Sequence, residues 1–491
     1  MSLDLAKTFK GYISENNGKY SLKHNSATFY RIVPYSTNLD SKSIEKLDFK
    51  SFDGIIGRCY RAMINKDLPE DLSEENFNLA LKERITQKVL EKVQMKPELQ
   101  DRFMAMIESM FFNGEELTKY SPLAQAYLFW KTRNSGLDNI ADFIYELFVT
   151  EQVGSIWQQE GGFTENIFQT LINSALPPLK NLTIKKSQTT AEKRQYKIQH
   201  NEIVQLFEED FKYLYTHDKQ GFLKESDKLF KFYYFLYVTQ MGFSLNNFFG
   251  DNTALKPLFF TLESEIVSEN RKTVKHGWDM IAPKLANLMS HSAALDILNR
   301  MEMFGQSGYN YLQLSQLYEG ADAQGRQQVV ADLDEVIDRY VSAVGPEKKQ
   351  WSDFEPEKQR IEKNPRYNDF EKKIVEFFQR IEFQFENSSR ASKRKSFSNW
   401  FIFFCKENFL KNRGRNGYIL NLSQEMFIFL TRICIGGRQK VRLNELIDAF
   451  AKRGIYFDDA SKKAMIGTYE KINVIEKKSD SGDAQYIRQI L

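Results

Sequence analysis

Asp458 and Asp459, followed by Glu476-Lys477-Lys478, form the pattern in this chain that comes nearest to hydrolytic chemistry. Metal-dependent nucleases of the restriction type hold a divalent cation between an acidic residue and a Glu-x-Lys pair on a strand, and the metal positions the attacking water. Asp459, Glu476 and Lys478 have the types for those roles. So short a pattern also recurs by chance, and strands often alternate charge without any chemistry. Glu355-Pro356-Glu357-Lys358 is a weaker version, because proline interrupts it. Neither Gly-x-x-x-x-Gly-Lys-Ser/Thr nor Gly-x-Gly-x-x-Gly occurs, so no phosphate cradle is read. His24, His200, His217, His276 and His291 have no metal-ligand spacing. Cys59, Cys405 and Cys434 lie far apart, the last two inside apolar helical runs where free thiols pack as small hydrophobes. The residues therefore nominate no catalytic, metal or cofactor-binding group, and the chain reads as a non-enzyme that takes no cofactor.

The basic clusters carry more. Arg390, Lys393, Arg394 and Lys395 precede a helix at Phe397, and Lys411, Arg413 and Arg415 follow it in a Gly/Asn-rich turn. Such groups grip phosphates without reading sequence, although charge runs are often only a solvated surface. From Ser388 to Leu491 there are 20 Lys and Arg against 10 Asp and Glu, a balance of +10. The remaining 48 against 55 give −7, so positive charge is gathered at one end, as a phosphate-facing surface requires.

The elements that must position these residues are legible from Ser423 onward. Ser423 is a good N-cap for an apolar helix through Cys434, closed by Gly436-Gly437. Val441-Arg442-Leu443 is a short alternating run. Asn444 is expected to cap a helix over Glu445 to Arg453, stopped by Gly454. Asp458 and Asp459 open a third helix, where acidic residues suit the positive end of the dipole. Val474 to Lys478 and Ala484 to Arg488, around a Gly/Asp turn, make a hairpin. That order is the order of a winged helix, whose third helix can enter a major groove. Lys462, Lys463 and Lys471 on that helix, and Arg488 on the last strand, become DNA-contact candidates. Glu470 lies among the lysines, and Asp480 and Asp483 at the wing tip would repel a phosphate backbone. The unit therefore suits a protein partner equally well.

Upstream the pattern is helical, so the fold class is mainly α: a multi-domain helical array with a winged-helix-like end. Residues 1–50 are weakly patterned, with a hairpin between Tyr20 and Tyr35. Residues 51–180 read as an N-terminal helical domain, with helices opening at Ser73, Pro97 and Ser121-Pro122. Residues 181–197 read as a linker or exposed loop, 198–345 as a central helical domain, and 346–368 as a charged linker. Residues 369–422 hold a long helix and the basic helical segment, and 423–491 the last unit. A hydrophobic fraction of 42% is ample for real cores and excludes a disordered chain, while a net charge of +3 does not by itself mark a nucleic-acid binder. The first ten residues lack the apolar core of a signal peptide. Phe230 to Phe243, interrupted by Lys231 and Gln240, is too short and polar to span a bilayer. A cytoplasmic protein with no membrane association is expected.

Two long strings add a resemblance. One is Gly454-Ile455-Tyr456-Phe457-Asp458 with Lys478-Ser479-Asp480-Ser481-Gly482-Asp483-Ala484-Gln485-Tyr486-Ile487-Arg488. The other runs from Phe235-Leu236-Tyr237-Val238-Thr239-Gln240 through Lys256-Pro257-Leu258-Phe259-Phe260-Thr261-Leu262-Glu263-Ser264-Glu265 to Arg271 and Trp278. In these the second half of the chain resembles the DptG subunits of DNA phosphorothioation-dependent restriction systems. The resemblance implies a subunit of an anti-phage defence complex that damages DNA lacking the phosphorothioate mark. It would work with DptF-like and DptH-like ATPase or helicase-type subunits and contact double-stranded DNA, itself without a motor. The missing phosphate loop agrees with that division. No catalytic residues transfer with the resemblance. Within the second string, Arg271, Lys272, Lys275 and His276 form a further basic run, for phosphate or partner contact. A nuclease subunit, or an adaptor without DNA affinity, is the alternative reading.

Overall fold

The computed structural model describes residues 3–490 other than 17–18, 23–30, 70–71, 73–75, 131–133, 160–165, 183–195, 251–253, 266, 306 and 478–484. The chain is mainly α, with small two- and three-stranded sheets set between helices.

At its centre runs the helix Lys219–Asn246. Its 28 residues span about 42 Å at 1.5 Å per residue. Asp218 caps it, accepting from the Gly221 N–H at 2.8 Å. Every residue from Leu229 to Gly242 is buried, which explains why the stretch is apolar on all sides instead of striped. Aromatic rings surround it, including Phe207 against Phe230 at 5.2 Å, Tyr234 against Phe404 at 4.8 Å and Phe235 against Phe409 at 4.4 Å. These contacts draw helices Asn201–His217 and Ala391–Asn408 onto it. No helix among the described residues is long and apolar enough to cross a membrane.

Around this axis the expected helices form, with some changes. Of the stretch between Tyr20 and Tyr35, where a hairpin is expected, residues 23–30 lie outside the described ones; Ile13–Asn16 pairs with Lys19–Leu22 before them. The helix expected to open at Ser73 runs Phe77–Lys92, and residues 73–75 lie outside the described ones. The helix opening at Ser121-Pro122 is a single turn, Pro122–Gln125, before Ser135–Phe148. Helix Asp369–Glu386 needs a partner for Ile374, Phe377, Phe378 and Ile381, and packs on Leu288–Leu298 and Ala323–Ala343. The stretch 346–368, expected to be a linker, holds helix Glu355–Glu362 with Phe354 and Ile361 buried. Trp351 anchors it, its Nε1 donating to the carbonyls of Val341 and Val344, each at 3.1 Å. Its charges face solvent while a few large apolar residues pin it down. Of the expected loop at 181–197, residues 183–195 lie outside the described ones.

Close backbone approach fixes the N-terminal helices. Gly57, on helix Asp53–Met63, lies so near the chain at Leu128 that an added Cβ would sit 2.1 Å from the Leu128 carbonyl oxygen. Arg61 on the same helix donates to the Ala126 and Leu128 carbonyls at 2.8 and 3.1 Å, and burial pulls its pKa down to about 10. Backbone cannot swing aside as a side chain does. Gly57→Ala is therefore expected to cost about 3 kcal/mol, the upper end for overpacking. Gly467→Ala, which meets nothing within 4 Å in a half-buried stretch of helix, is expected to be neutral or slightly stabilising. Urea unfolding of the two variants checks the contrast.

The C-terminal unit is built from helix Gln424–Ile435, strand Lys440–Arg442, helix Leu443–Lys452, strand Ile455–Tyr456, helix Asp459–Lys471, and strands Ile475–Lys477 and Gln485–Arg488. Ser423 and Asp458 cap their helices as expected. Asn444 does not cap: the helix already begins at Leu443, so Asn444 is inside its first turn. Gly436 and Gly454 close helices in the left-handed region, at φ 63° and 72°. The last strand is central in the sheet, with Lys440–Arg442 antiparallel on one side and Ile475–Lys477 on the other.

Candidate nucleic-acid interface

Alternation along the three strands sorts their side chains by face. Val441 and Ile487 are paired across the sheet and buried against the helices, with Ile475 in register on the same side. The opposite face therefore carries Lys440, Arg442, Tyr486, Arg488 and Glu476, because Lys440 pairs with Arg488, and Arg442 and Glu476 both pair with Tyr486. The Lys440 ammonium stands 5.5 Å from the Tyr486 ring centroid. A hydrogen bond with Tyr486 raises the Arg442 pKa further above its ordinary value. Glu476 is the acid on this face among the described residues of the three strands, and Lys440 at 2.9 Å and Arg488 at 3.6 Å share it. The result is an exposed, net positive patch around an aromatic ring, the combination that tracks a phosphate backbone.

Helix Asp459–Lys471 flanks this sheet. Lys463 and Lys471 are exposed and Lys462 is half-buried, and none of the three has an ion pair among the described residues. Arg488 donates to the Asn473 carbonyl at 2.6 Å and keeps its outer edge in solvent. The wing tip holding Asp480 and Asp483, and Lys478, lie outside the described residues.

The other nominated cations are mostly engaged inside the protein. Arg394 makes a fork-like pair with Glu382 and reaches Glu386 at 3.2 Å. Lys393 donates to the Thr37 carbonyl at 3.0 Å. Arg390 is half-buried, and burial lowers its pKa despite nearby Tyr340 and Glu347. The expected Gly/Asn-rich turn is a hairpin, Leu410–Asn412 with Tyr418–Leu422. There Lys411 donates to the Glu263 carbonyl at 3.0 Å and Arg413 to the Glu265 carbonyl at 2.8 Å. These groups serve to hold chain segments together. Lys395 and Arg415 stay exposed, without an ion pair among the described residues.

Arg271 is also structural. It pairs with Glu265 at 2.6 Å, bonds Asp458 at 3.0 Å through Nε, and donates to Ser461 Oγ at 2.8 Å. This clamp fixes the start of helix Asp459–Lys471 to the central part of the chain, beside the parallel pairing of Ile455–Tyr456 with Leu258–Phe259. Lys272, Lys275 and His276 follow it on the exposed surface. Burial works to raise the Asp458 pKa, but the Arg271 hydrogen bonds and charge outweigh it and hold the carboxyl below its usual value. A depressed carboxyl contributes stability above its unfolded pKa of about 3.9, lost as pH falls through the lower folded value. Arg271→Gln, leaving two largely buried carboxylates unpaired, is expected to cost about 3 kcal/mol at pH 7. The deficit should stay constant down to about pH 5 and shrink below about pH 4, as urea unfolding at several pH values would reveal.

Among the described residues no group of three or more His, Cys, Asp or Glu is placed to hold a metal ion. Asp458, the neighbour of Asp459, is engaged by Arg271, and Glu476 by Lys440 and Arg488. Sequence reading passed over Lys440, Arg442 and Tyr486. The signal was the alternation Lys440-Val441-Arg442 and Tyr486-Ile487-Arg488, which puts the polar residues of both strands on one face. Compared with models of known protein families and with curated proteins, the chain matches none.

Proposed function

We propose that this chain is a DptG-type subunit of a DNA phosphorothioation-dependent restriction complex, in which its C-terminal unit, a winged helix, touches duplex DNA. It supplies no catalytic step to the DNA chemistry and carries DptF-like and DptH-like ATPase or helicase-type subunits on its helical body. The family assignment rests on the two strings quoted above. The DNA role rests on one observation: the outer face of the C-terminal sheet gathers Lys440, Arg442 and Arg488 around Tyr486, next to the lysines of helix Asp459–Lys471. A partner role is favoured by an apolar stripe on helix Pro97–Phe111, where Leu99, Met106 and Met110 share one face and are exposed.

The test is fluorescence anisotropy of a labelled duplex with the full-length chain over a range of salt. An isolated fragment from Ser388 would lose the strand pairing to Leu258–Phe259 and the ion pair of Arg453 with Asp210, so the whole chain is needed. Binding with a log–log salt slope of about −3 to −5, for four or five phosphate contacts, supports the reading. No binding at low salt ends it and leaves the basic face as a docking surface for the motor subunits.

A further inference from the structure

A second site lies well away in sequence from the basic sheet. His200 precedes helix Asn201–His217 and is 4% exposed. Its Nδ1 lies 2.9 Å from Glu202 Oε1, and its Nε2 lies 2.8 Å from Ser244 Oγ. Ser244 comes from the last turn of the central helix, 44 residues further on. The three line a cavity of about 200 Å³ whose apolar walls include Met241, Leu245, Phe248 and Leu312.

Proton placement follows from the partners. A carboxylate only accepts, so Nδ1 carries the hydrogen and Nε2 of the neutral ring is the bare acceptor. The hydrogen between Ser244 and His200 is then the hydroxyl's. Ser244 Oγ also lies 2.8 Å from the Gln240 carbonyl, which accepts that hydrogen when the imidazole is protonated. Both protonation states of the ring are therefore satisfied without movement, as a group that takes up and returns a proton requires. Tyr237, edge-on to the imidazole at 5.7 Å, fixes the ring plane. Across the cavity stands the first turn of helix Tyr311–Gly320, and its Leu312 N–H has no partner among the described residues. Helix N-termini favour negative charge, such as that which develops on a carbonyl oxygen.

We infer that Ser244, His200 and Glu202 form a nucleophilic hydrolase site for small, uncharged carboxylic esters. Ser244 Oγ attacks the ester carbonyl carbon while its proton passes to His200 Nε2. The carbon–oxygen bond to the alcohol breaks, and His200 returns the proton to the departing alkoxide. Water then attacks the acyl-serine and gives its proton to His200. The bond from carbon to Oγ breaks, the proton goes back to Oγ, and the carboxylic acid leaves. Ester and water thus yield acid and alcohol, with no other reactant. Glu202 is a positioning residue that holds the imidazole tautomer. The apolar walls and the carboxylate at the rim select neutral, short acyl groups over anionic ones. The site is independent of the DNA reading.

The test treats the full-length protein with a fluorophosphonate probe and, separately, with 4-nitrophenyl acetate. One adduct per chain is expected, mapped to the peptide with Ser244, and turnover beyond one equivalent of ester. Ser244→Ala, a small change in a helix, should abolish the adduct and lower turnover by at least about a hundredfold. His200→Gln should do the same, with a thermal melt confirming that it folds. Glu202→Gln should lower kcat with KM unchanged. Absence of any adduct on folded protein overturns the proposal, as does equal labelling or equal turnover in Ser244→Ala.

Discussion

Full-length protein with Lys440→Glu and Arg442→Glu is expected to bind duplex DNA about a hundredfold more weakly at 0.1 M salt. Two neighbouring strand positions remove two phosphate contacts. Each contact releases about 0.9 of a counterion, so losing two is worth a factor near 60 at that salt. The reversed charges then repel the backbone and enlarge it. The log–log salt slope should become shallower by about 2, a change that a general loss of folding does not imitate. Stability should hardly move. Lys440 and Arg442 are exposed, and the Lys440–Glu476 pair is a surface ion pair worth at most about 1 kcal/mol. Lys393→Glu with Lys395→Glu makes the comparison, since those residues belong to the cluster first nominated from the sequence. An unchanged salt slope in the sheet variant, with a shallower one in the helix variant, would move the DNA contact to Ala391–Asn408 and leave the sheet face without its assigned role.

Much of this fold was legible because helices announce themselves locally. Pro97, Ser423 and Asp458 open helices where proline or a capping side chain says they should. The charged residues were harder, because sequence gives type and spacing but not the partner. Arg271, Arg394 and Arg413 look in the sequence like Lys463 or Arg415. In the fold their carboxylate and carbonyl partners come from segments 6 to 187 residues away. A guanidinium with five donors in a plane is well suited to tie such segments together, so arginines nominated for DNA are often those that the interior uses. Lys463, Lys471 and Lys395, each with a compact charge on a long stem, stay exposed, whereas Lys393 and Lys411 reach a backbone carbonyl. His200 and Ser244 were invisible for the same reason: nothing near His200 in sequence points to a hydroxyl on another helix. The stretch 346–368 failed differently. Its charges outnumber its apolar residues, yet Trp351, Phe354 and Ile361 suffice to bury one side of it.

The same logic makes Asp210 the residue whose loss should do most harm to stability. Arg453, from the C-terminal unit, is buried against Asp210 on helix Asn201–His217, with Nε donating to Oδ2 at 2.8 Å. Tyr233 of the central helix donates to the same carboxylate, and an Arg453 N–H reaches Cys434 Sγ at 3.6 Å. Two helices and the C-terminal unit meet at this one charge pair. Asp210→Ala leaves a guanidinium in the interior, and the intrinsically high pKa of arginine forbids escape by losing a proton. About 3–5 kcal/mol should be lost. Arg453→Met should cost less, because the remaining carboxyl can take up a proton and keep its bond to Tyr233. Asp210→Leu combined with Arg453→Met should recover most of the loss, since apolar replacement of a whole buried pair is often neutral. Cys434 supplies the readout. Burial raises its thiol pKa to about 12, so it is alkylated only when the region opens. If the C-terminal unit opens by itself, alkylation of Cys434 in Asp210→Ala should accelerate by a factor of about a hundred or more, while buried Cys59 and Cys405 keep their slow rates. Equal acceleration at all three thiols would mean that the pair stabilises the whole chain as one cooperative body. No acceleration at any of them would mean that the buried pair contributes nothing to holding the unit in place.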